Sequence, residues 1–481
     1  MEKLEKKNVF IEGPIFIRIL LFVLPIIATG VLQVAYNMAD NIVVGKFAYD
    51  GDVALGAVGS TSAYTNLITN FVIGISSGAS VVLAQFFGAR RYDEVSKSVH
   101  TAMTLSVITG FILMALGLAC AYPALSLMGT KAKFMESALI YVIVICIGIP
   151  ASSVYNFGGA ILRAMGDSKT SLIILSMSGL LNVLLNLFFV IVCGMSVAGV
   201  ALATIISQYV SATSVVCVLI KRKSECYSLT LRKLRMERRL VSRMLRFGLP
   251  VAFQSSLFSL SNIIITSSMN TLDGFYAGTK YAHLGEGGEG IVVQAKAIAF
   301  SIEGITYTAM HSFTHAATTF IGQNYGAKKF NRINVGFLCL VFQVLAVGLL
   351  LSHLEILFTD QLAYLYMNKE TTQYPTEVVD SVREIFNIML RFYALCGVME
   401  TISGILRGLG YSMTSMIASI IGLGIRVVWV LFIHPLDTFN SIFGLFLSYP
   451  ISWVSTIVLL LVCCIYAWRK IGIKIFGKNE A

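Results

Sequence analysis

Long apolar runs, separated by short polar segments, recur along the whole chain and dominate its pattern. A helix needs about 20 apolar residues to cross the hydrocarbon core of a bilayer. Prolines and glycines inside the runs are compatible with this, because neighbouring helices satisfy the freed backbone groups. The pattern therefore predicts an all-α polytopic membrane protein with twelve spanning helices, at roughly 15–45, 53–83, 98–122, 134–158, 169–193, 196–220, 243–270, 291–320, 334–358, 382–405, 412–434 and 441–468.

Three motifs occur twice, in the same order in each half of the chain. A duplicated chain of this apolar character is typical of transporters built from two related helix bundles. We therefore predict an N-terminal lobe of helices 1–6 over residues 1–220, a basic linker over 221–242 and a C-terminal lobe of helices 7–12 over 243–481. The paired motifs are Leu24-Pro25 with Leu249-Pro250, Gln85–Arg91 (QFFGARR) with Gln323–Lys329 (QNYGAKK), and Gly159–Ser171 (GAILRAMGDSKTS) with Ser403–Ser415 (SGILRGLGYSMTS).

Composition agrees with a membrane location. Hydrophobic residues make up 56% of the chain and charged residues 13%, with a mean hydropathy of +0.79, whereas about 25% of residues are charged in soluble domains. With the N-terminus placed in the cytoplasm, 26 Lys and Arg residues fall on that side and five on the other, namely Lys46, Lys131, Lys133, Lys280 and Lys369. The positive-inside rule then predicts that both termini are cytoplasmic.

The net charge of +11 is explained mostly by this topology. The basic residues around 221–246 are also suited to binding anionic lipid headgroups. We expect no nucleic-acid partner, because the chain lacks the soluble basic domain that such binding needs.

Nucleotide and metal chemistry find little support in the sequence. No Gly-Lys-Ser/Thr phosphate loop is present, so transport must draw on an ion gradient or run downhill. The nine cysteines show no metal-ligand spacing, and His311 and His315 lack a third ligand. We expect no cofactor and no bound metal.

The glycine-rich segment 271–290 is interpreted as an outer loop, either a plain connector or a gate.

Ionisable residues inside the predicted spans are the candidate functional groups, since each costs about 2.5–3.5 kcal/mol on insertion scales. Once loop and boundary residues are excluded, Asp40 is the only acid within the first six spans, and helical spacing puts it on one stripe with Gln33 and with Tyr36 or Asn37. A carboxylate shielded from water can take up and release a proton near neutral pH. The alternative interpretation is that Asp40 lies at the end of its helix, near the outer interface, and is simply solvated.

The paired motifs and three further segments together resemble the multidrug and toxic compound extrusion (MATE) family along the whole chain. These segments are Tyr36–Asp40 (YNMAD), Leu406–Ser412 (LRGLGYS) and Ser448–Trp453 (SYPISW). The resemblance implies two six-helix lobes around a central cavity that opens alternately to either side. It also implies export of cationic or amphipathic organic compounds in exchange for protons or sodium. We expect a monomer in the bacterial cytoplasmic membrane, and not an enzyme.

The resemblance also implies a cation-coupling site in the first lobe. The family's aspartate matches Asp40, and its helix-five and helix-six partners match Asn182, Asn186 and Thr204. Several family members have a second aspartate where this chain has Asn186. Because sodium prefers charged oxygen ligands, this departure favours protons, with sodium as the alternative. The two asparagines could instead serve only in hydrogen bonds between helices.

The second lobe carries a different set of charges. The family's helix-seven acid is missing, since Val251–Asn270 contains none, whereas Glu303 matches a commonly acidic family position on helix eight. Glu400 is a candidate ion-pair partner of Arg426 or Lys296, and Arg391 also needs a partner. Such buried pairs are often structural rather than functional.

The substrate cavity is expected to be lined by neutral polar and acidic residues. A flippase for lipid-linked oligosaccharides, the alternative in the same broad superfamily, should have a more basic cavity for pyrophosphate. A channel and a membrane-embedded enzyme are further alternatives, but no catalytic constellation is evident. The expected lining residues are Gln33, Tyr36, Asn66, Asn70, Asn156, Glu303, His311 and Glu400.

Overall fold

The computed structural model describes residues 10–48, 51–288, 290–367 and 374–472. Within these ranges all regular structure is helical, which confirms the predicted fold class. Several basic residues used in the topology prediction lie outside the described residues, namely Lys3, Lys6, Lys7, Lys369, Lys474 and Lys478.

Twelve long helices follow one another along the described chain. The first six are α1 (Ile15–Phe47), α2 (Gly51–Gly88), α3 (Tyr92–Leu127), α4 (Ala132–Ala164), α5 (Ser168–Leu187) and α6 (Val197–Lys221). The second six are α7 (Arg238–Gly278), α8 (Ile291–Gly326), α9 (Phe330–Leu357), α10 (Pro375–Leu409), α11 (Ser412–Val428) and α12 (Ser448–Ile471). A 3-10 turn interrupts α10 at Leu390–Phe392, π turns extend α5 and α11, and short helices lie at Thr359–Tyr366 and Ile442–Phe446.

Eleven of these helices are long and apolar enough to cross a membrane. The exception is α8, which has 36 residues but includes Lys296, Glu303, His311 and His315. A helix with this many polar groups needs protein neighbours that satisfy them. The length of α8 therefore fits the predicted span, whereas its composition indicates that part of its surface faces protein.

The predicted loop over 271–290 is wrong in its first part, because α7 continues to Gly278 and a 3-10 segment covers Ala282–Gly288. Asp273, on the last turns of α7, accepts hydrogen bonds from the backbone N–H of Gly290 (2.7 Å) and Val292 (2.9 Å). The first N–H groups of a helix lack partners within it. Asp273 thus caps α8 from α7, and the glycines before α8 form a compact turn rather than an open loop.

The connection between α6 and α7 is shorter than the predicted linker 221–242, since α7 begins at Arg238. Tyr227 and Leu229 are each only 2% exposed. The backbone N–H of Thr230 donates to Nε2 of His100 at 3.1 Å. The basic connection is therefore packed against the helix bundle.

By internal contacts the chain divides into two units. The first comprises Met1–Ser256, Thr318–Ile333 and Arg407–Met413, as far as these are described, and the second comprises the remainder. The first unit thus includes the end of α8 and the turn between α10 and α11, which belong to the second half of the sequence. This division by contacts differs from the predicted division into an N-terminal lobe and a C-terminal lobe. The two lobes stay a prediction.

The paired sequence motifs of the first unit have paired backbone conformations. Arg90 and Lys328, at matching positions after α2 and α8, have φ angles of 57° and 56°. Gly166 and Gly410, in the turns after α4 and α10, have φ angles of 85° and 92°. A positive φ is uncommon for residues other than glycine. The sequence duplication is therefore reproduced as a structural duplication at these turns.

The same motifs contact each other across the two halves, at a place that we call the glutamine crossing (Gln85, Gly88, Gln323 and Gly326). Gln85 Nε2 donates to the carbonyl of Gly408 at 2.9 Å, and Gln323 Nε2 donates to the carbonyl of Ala164 at 2.7 Å. A Cβ on Gly88 would lie 1.9 Å from the carbonyl oxygen of Gln323, and one on Gly326 would lie 2.0 Å from that of Gln85. Only glycine fits where the two backbones approach this closely.

We predict that Gly88→Ala and Gly326→Ala each destabilise the protein by about 1–3 kcal/mol, the usual cost of overpacking a tight contact. The added methyl group clashes with a backbone carbonyl, which cannot rotate away as a side chain would. Thermal unfolding of the purified protein in detergent measures the effect.

The matched controls are Gly59→Ala on α2 and Gly304→Ala on α8, where an added Cβ meets no atom within 4 Å. These changes should be neutral or slightly stabilising, since alanine favours helix over glycine. Equal unfolding temperatures for Gly88→Ala and Gly59→Ala would contradict the close approach.

A second polar cluster ties the start of α5 to the end of α6. Asp167 caps α5 by accepting from the N–H of Thr170 (3.1 Å), and it accepts from Nη2 of Arg222 (2.5 Å). Arg222 also donates to the hydroxyl of Tyr227. Burial favours the neutral acid, but the hydrogen bonds from Thr170 and the charge of Arg222 outweigh it and lower the pKa of Asp167. The cluster therefore contains an ionised carboxylate at neutral pH.

We predict that Asp167→Asn lowers stability at pH 7 by about 1–3 kcal/mol, the range for charged hydrogen bonds. Because the pKa is lower in the folded state, this contribution is present above the unfolded value of about 3.9. It is lost as the pH falls through the lower folded value. The difference in unfolding temperature between the variant and the wild type should therefore narrow on acidification. Asp380→Asn, in an exposed pair with Arg383, is the control and should have little effect.

Candidate functional site

The four predicted coupling residues lie together in the first unit. Asp40, near the end of α1, accepts a hydrogen bond at Oδ1 from Nδ2 of Asn186 on α5. Asn186 is fully buried and lies just before the π turn Phe188–Val192. Such turns often occur at functional sites. The closest contact of Asp40 is thus with the residue at which the sequence departs from the family pattern.

Longer contacts extend this polar row toward α6. Asn186 Nδ2 lies 3.4 Å from Oδ1 of Asn182, and Asn182 Nδ2 lies 3.5 Å from Oγ1 of Thr204. Thr204 in turn donates to the carbonyl of Val200 at 2.9 Å. Contacts of 3.4–3.5 Å are weak hydrogen bonds. The row joins α1, α5 and α6, and Tyr141 of α4 is near enough to interact electrostatically with Asp40.

One buried acceptor in this row is unused. Oδ1 of Asn186 has no hydrogen-bond partner among the described residues. An ionised carboxylate only accepts hydrogen bonds, whereas a protonated one carries an O–H donor. A side-chain amide offers both kinds of group. The Asp40–Asn186 pair therefore has a hydrogen-bond partner for either protonation state of the acid, depending on which amide atom faces it.

The expected cavity residues of the first unit are not joined to this row. Tyr36 donates to the carbonyl of Ser176 (3.3 Å) and packs on Gly179, so it faces α5. Asn156 donates to Ser152 of its own helix at 2.9 Å. Of the others, Gln33 and Asn66 are exposed and Asn70 is half-buried.

The second unit contains a separate polar cluster, which includes a residue missed in the sequence. Glu303 on α8 accepts from the hydroxyl of Tyr393 on α10. Glu355 on α9 accepts at Oε1 from Oγ1 of Thr306 on α8, at 2.7 Å. Glu355 is only 8% exposed. In the sequence, Glu355 could have been noticed as an acid at the end of the apolar run 334–358.

The expected ion pair of Glu400 with Arg426 or Lys296 is wrong for the part of the second unit that the structure describes. Arg426 donates to Oγ of Ser452 (3.0 and 2.8 Å) and lies 4.2 Å from the ring centroid of Tyr449. Lys296 donates to Thr266. A guanidinium can be satisfied by a hydroxyl and an aromatic face. Glu400 is buried without a salt bridge to either cation.

The remaining candidates of the second unit have more ordinary environments. Arg391 is exposed and lies 3.4 Å from Oδ1 of Asn387. His311 stacks on Tyr307 and contacts His315 edge to face, with ring centroids 5.6 and 5.5 Å apart. Among the described residues, no group of three or more potential metal ligands was found.

Paired turns in the two halves of the sequence, long apolar helices and buried polar rows between helices together define a multi-pass membrane transporter. A family model described as MatE matches residues 25–188 and 250–431. The chain therefore belongs to the MATE family, as the sequence motifs had indicated.

Similar proteins match most of the length of the chain. The "Probable multidrug resistance protein YoeA" of Bacillus subtilis is 27% identical and covers 94% of this chain and 93% of its own length. The "Probable multidrug resistance protein NorM" of Thermotoga maritima is 26% identical, with coverages of 83% and 81%. A solved structure of an outward-facing multidrug resistance MATE transporter has a TM-score of 0.81 at 22% identity, covering 97% and 98%. This last likeness establishes the fold.

Proposed function

We propose that this protein is a secondary antiporter of a bacterial cytoplasmic membrane, which exports cationic or amphipathic organic compounds in exchange for protons. The observation that carries the proposal is the pairing of Asp40 with the buried amide of Asn186. A single acid with amide and hydroxyl neighbours can hold a proton but offers a hard metal cation little negative charge. Sodium is therefore the less favoured coupling ion.

Proton exchange at Asp40 changes its hydrogen bonding to α5. The ionised acid accepts from Asn186, and the protonated acid can donate to the unused Oδ1 after the amide turns over. α1 also contains Pro25, which removes one backbone hydrogen bond and favours a bend. We propose that protonation shifts α1 relative to α5, and that this shift favours release of the exported compound.

The nature of the cargo follows from charge and from the relatives. The expected cavity residues of the first unit are neutral, and Glu303 and Glu400 of the second are acidic. Such a lining suits cations better than the pyrophosphate of a lipid-linked sugar. Two relatives are named as probable multidrug resistance proteins. We propose a monomer with both termini in the cytoplasm, where the basic α6–α7 connection contacts anionic lipids.

We predict that Asp40→Asn abolishes proton-driven efflux while the protein still inserts and folds. Asparagine keeps the size of the side chain but cannot bind or release a proton. Ethidium flux in proteoliposomes with an imposed pH gradient should fall to the level of empty vesicles. The control is Asp93→Asn, which removes an exposed acid at the start of α3 and should transport normally. Wild-type flux in Asp40→Asn would refute the proposal.

We predict that Asn186→Asp introduces sodium dependence. A second carboxylate beside Asp40 adds negative charge, which favours sodium over a neutral amide site. Efflux driven by a sodium gradient alone should rise in the variant and be near background in the wild type. Asn182→Asp, one turn away on α5, tests whether position matters. Sodium-driven efflux in the unmodified protein would count against proton coupling.

A further inference from the structure

We propose that Glu303 and Glu355 form a second proton-binding site, a carboxylate pair in the second unit that is separate from Asp40. The inference builds on the proposed exchange of protons for organic compounds, because it adds a second place where a transported proton can bind. The binding of that proton can nevertheless be tested without transport.

The side chain of Glu355, on α9, contacts α8 one turn away from Glu303. Thr306, which donates to Glu355 at 2.7 Å, lies three residues after Glu303 and is fully buried. Residues three apart on a helix share one face. Glu355 therefore reaches from α9 to the part of α8 that carries Glu303. The two carboxylates are near enough to interact electrostatically.

One oxygen of the pair is unsatisfied. Oε2 of Glu355 is buried and has no hydrogen-bond partner in the described part of the chain. Burying an ionised carboxylate oxygen without a partner is costly, and the cost is greater beside a second carboxylate. A proton on the pair removes one negative charge and supplies an O–H donor.

No salt bridge neutralises the pair in the part of the chain that the structure describes. Neither acid forms a salt bridge within the described residues, and the guanidinium of Arg426 is directed to Ser452 and the ring of Tyr449. Apart from Arg426, the titratable groups around the pair are tyrosines, a cysteine and an acid, none of which carries a positive charge that could replace the proton. The groups that face the pair or lie beside it are Tyr366, Tyr393, Cys396, Tyr449, Glu400 and Arg426.

The site is not a copy of the first one. With the offset between the Gln85 and Gln323 motifs, Glu303 corresponds to Thr65 on α2. In the first half, Asp40 is the only acid inside a predicted span once loop and boundary residues are excluded. Each unit therefore has its own carboxylate site, which implies two protons per transport cycle.

Infrared difference spectroscopy of the purified full-length protein tests proton binding directly. Protonated carboxyl groups give a C=O band that disappears as the pH is raised. We expect Glu355→Gln to remove part of the pH-dependent band and to weaken proton binding by the remaining Glu303 about tenfold. That factor corresponds to the loss of about 1.4 kcal/mol of repulsion from a neighbouring charge. Glu303→Gln should act in the same way on Glu355.

The controls separate this site from other acids. Glu384→Gln, which removes a partly exposed acid paired with Lys280, should leave the band unchanged. Asp40→Asn should remove a different component. Thr306→Val, which changes only one hydroxyl, should make the band persist to higher pH, because the ionised form of Glu355 loses its donor. This variant keeps the test valid if Glu355→Gln does not fold.

Two results would overturn the inference. One is a pH-dependent carboxyl band that is the same in wild type, Glu355→Gln and Thr306→Val. The other is a band that responds to added sodium and not to pH, since the pair would then be a cation site. Neither depends on whether Asp40→Asn transports, so the failure of this inference and that of the proposed function are distinguishable.

The proton count provides a functional check. The electrochemical gradient at which net ethidium flux reverses gives the number of protons exchanged per substrate. We expect two in wild type and one in Glu355→Gln. An unchanged ratio in Glu355→Gln would contradict the role of the pair in transport.

Discussion

The close approach of α2 and α8 at the glutamine crossing is the constraint on which the architecture of the first unit depends. Gly88 and Gly326 each place backbone against the carbonyl of the opposite glutamine. The two glutamine amides then donate to the carbonyls of Ala164 and Gly408, at the ends of α4 and α10. Four helix ends, two from each half of the sequence, are thus fixed at one place. This explains why the ends of α8 and α10 group with the first half of the chain.

The crossing is symmetric in backbone and asymmetric in charge. Arg243 donates to Oε1 of Gln85 at 2.6 Å, whereas Oε1 of Gln323 has no partner among the described residues. Buried polar groups usually have a hydrogen-bond partner. Gln85 has both side-chain polar atoms bonded, whereas Gln323 has only its amide nitrogen bonded within the described part of the chain. The carboxylates are also asymmetric. Asp40 and the Glu303–Glu355 pair do not occupy matching positions in the two halves of the sequence. The duplicated motifs fix paired backbone geometry, whereas the carboxylates that we propose to bind protons lie outside these motifs.

Much of the fold could be predicted from the sequence because spanning helices depend on length and apolarity, which are local properties. The Asp40 row could be placed because the family resemblance supplied its four members. The other contacts between helices could not be predicted. Periodicity indicates which residues share a face, but it does not show which helix that face meets. The repeat identified Gln85 and Gln323 without revealing that they bond across the halves.

The errors have physical causes of the same kind. The glycines after residue 273 resemble a loop, but α7 continues to Gly278 and its Asp273 caps the start of α8. Arg426 seemed to need a carboxylate, but a hydroxyl and an aromatic ring satisfy it. Glu355 lies near the end of an apolar run, where an acid is usually solvated, and only the position of Thr306 shows that it is enclosed. Each outcome depended on a tertiary neighbour.

α5 connects the proposed proton site with the glutamine crossing. Asn186, near one end of α5, holds Asp40. The other end begins at Ser168, capped by Asp167, directly after the turn whose Ala164 carbonyl accepts from Gln323. A helix of 20 residues moves nearly as a rigid body. Under the proposed mechanism, a displacement of α5 would act next to the hydrogen bond from Gln323 to Ala164, and Gln323 has one fewer side-chain hydrogen bond than Gln85 among the described residues. The proposed proton site and the glutamine crossing thus lie at opposite ends of α5.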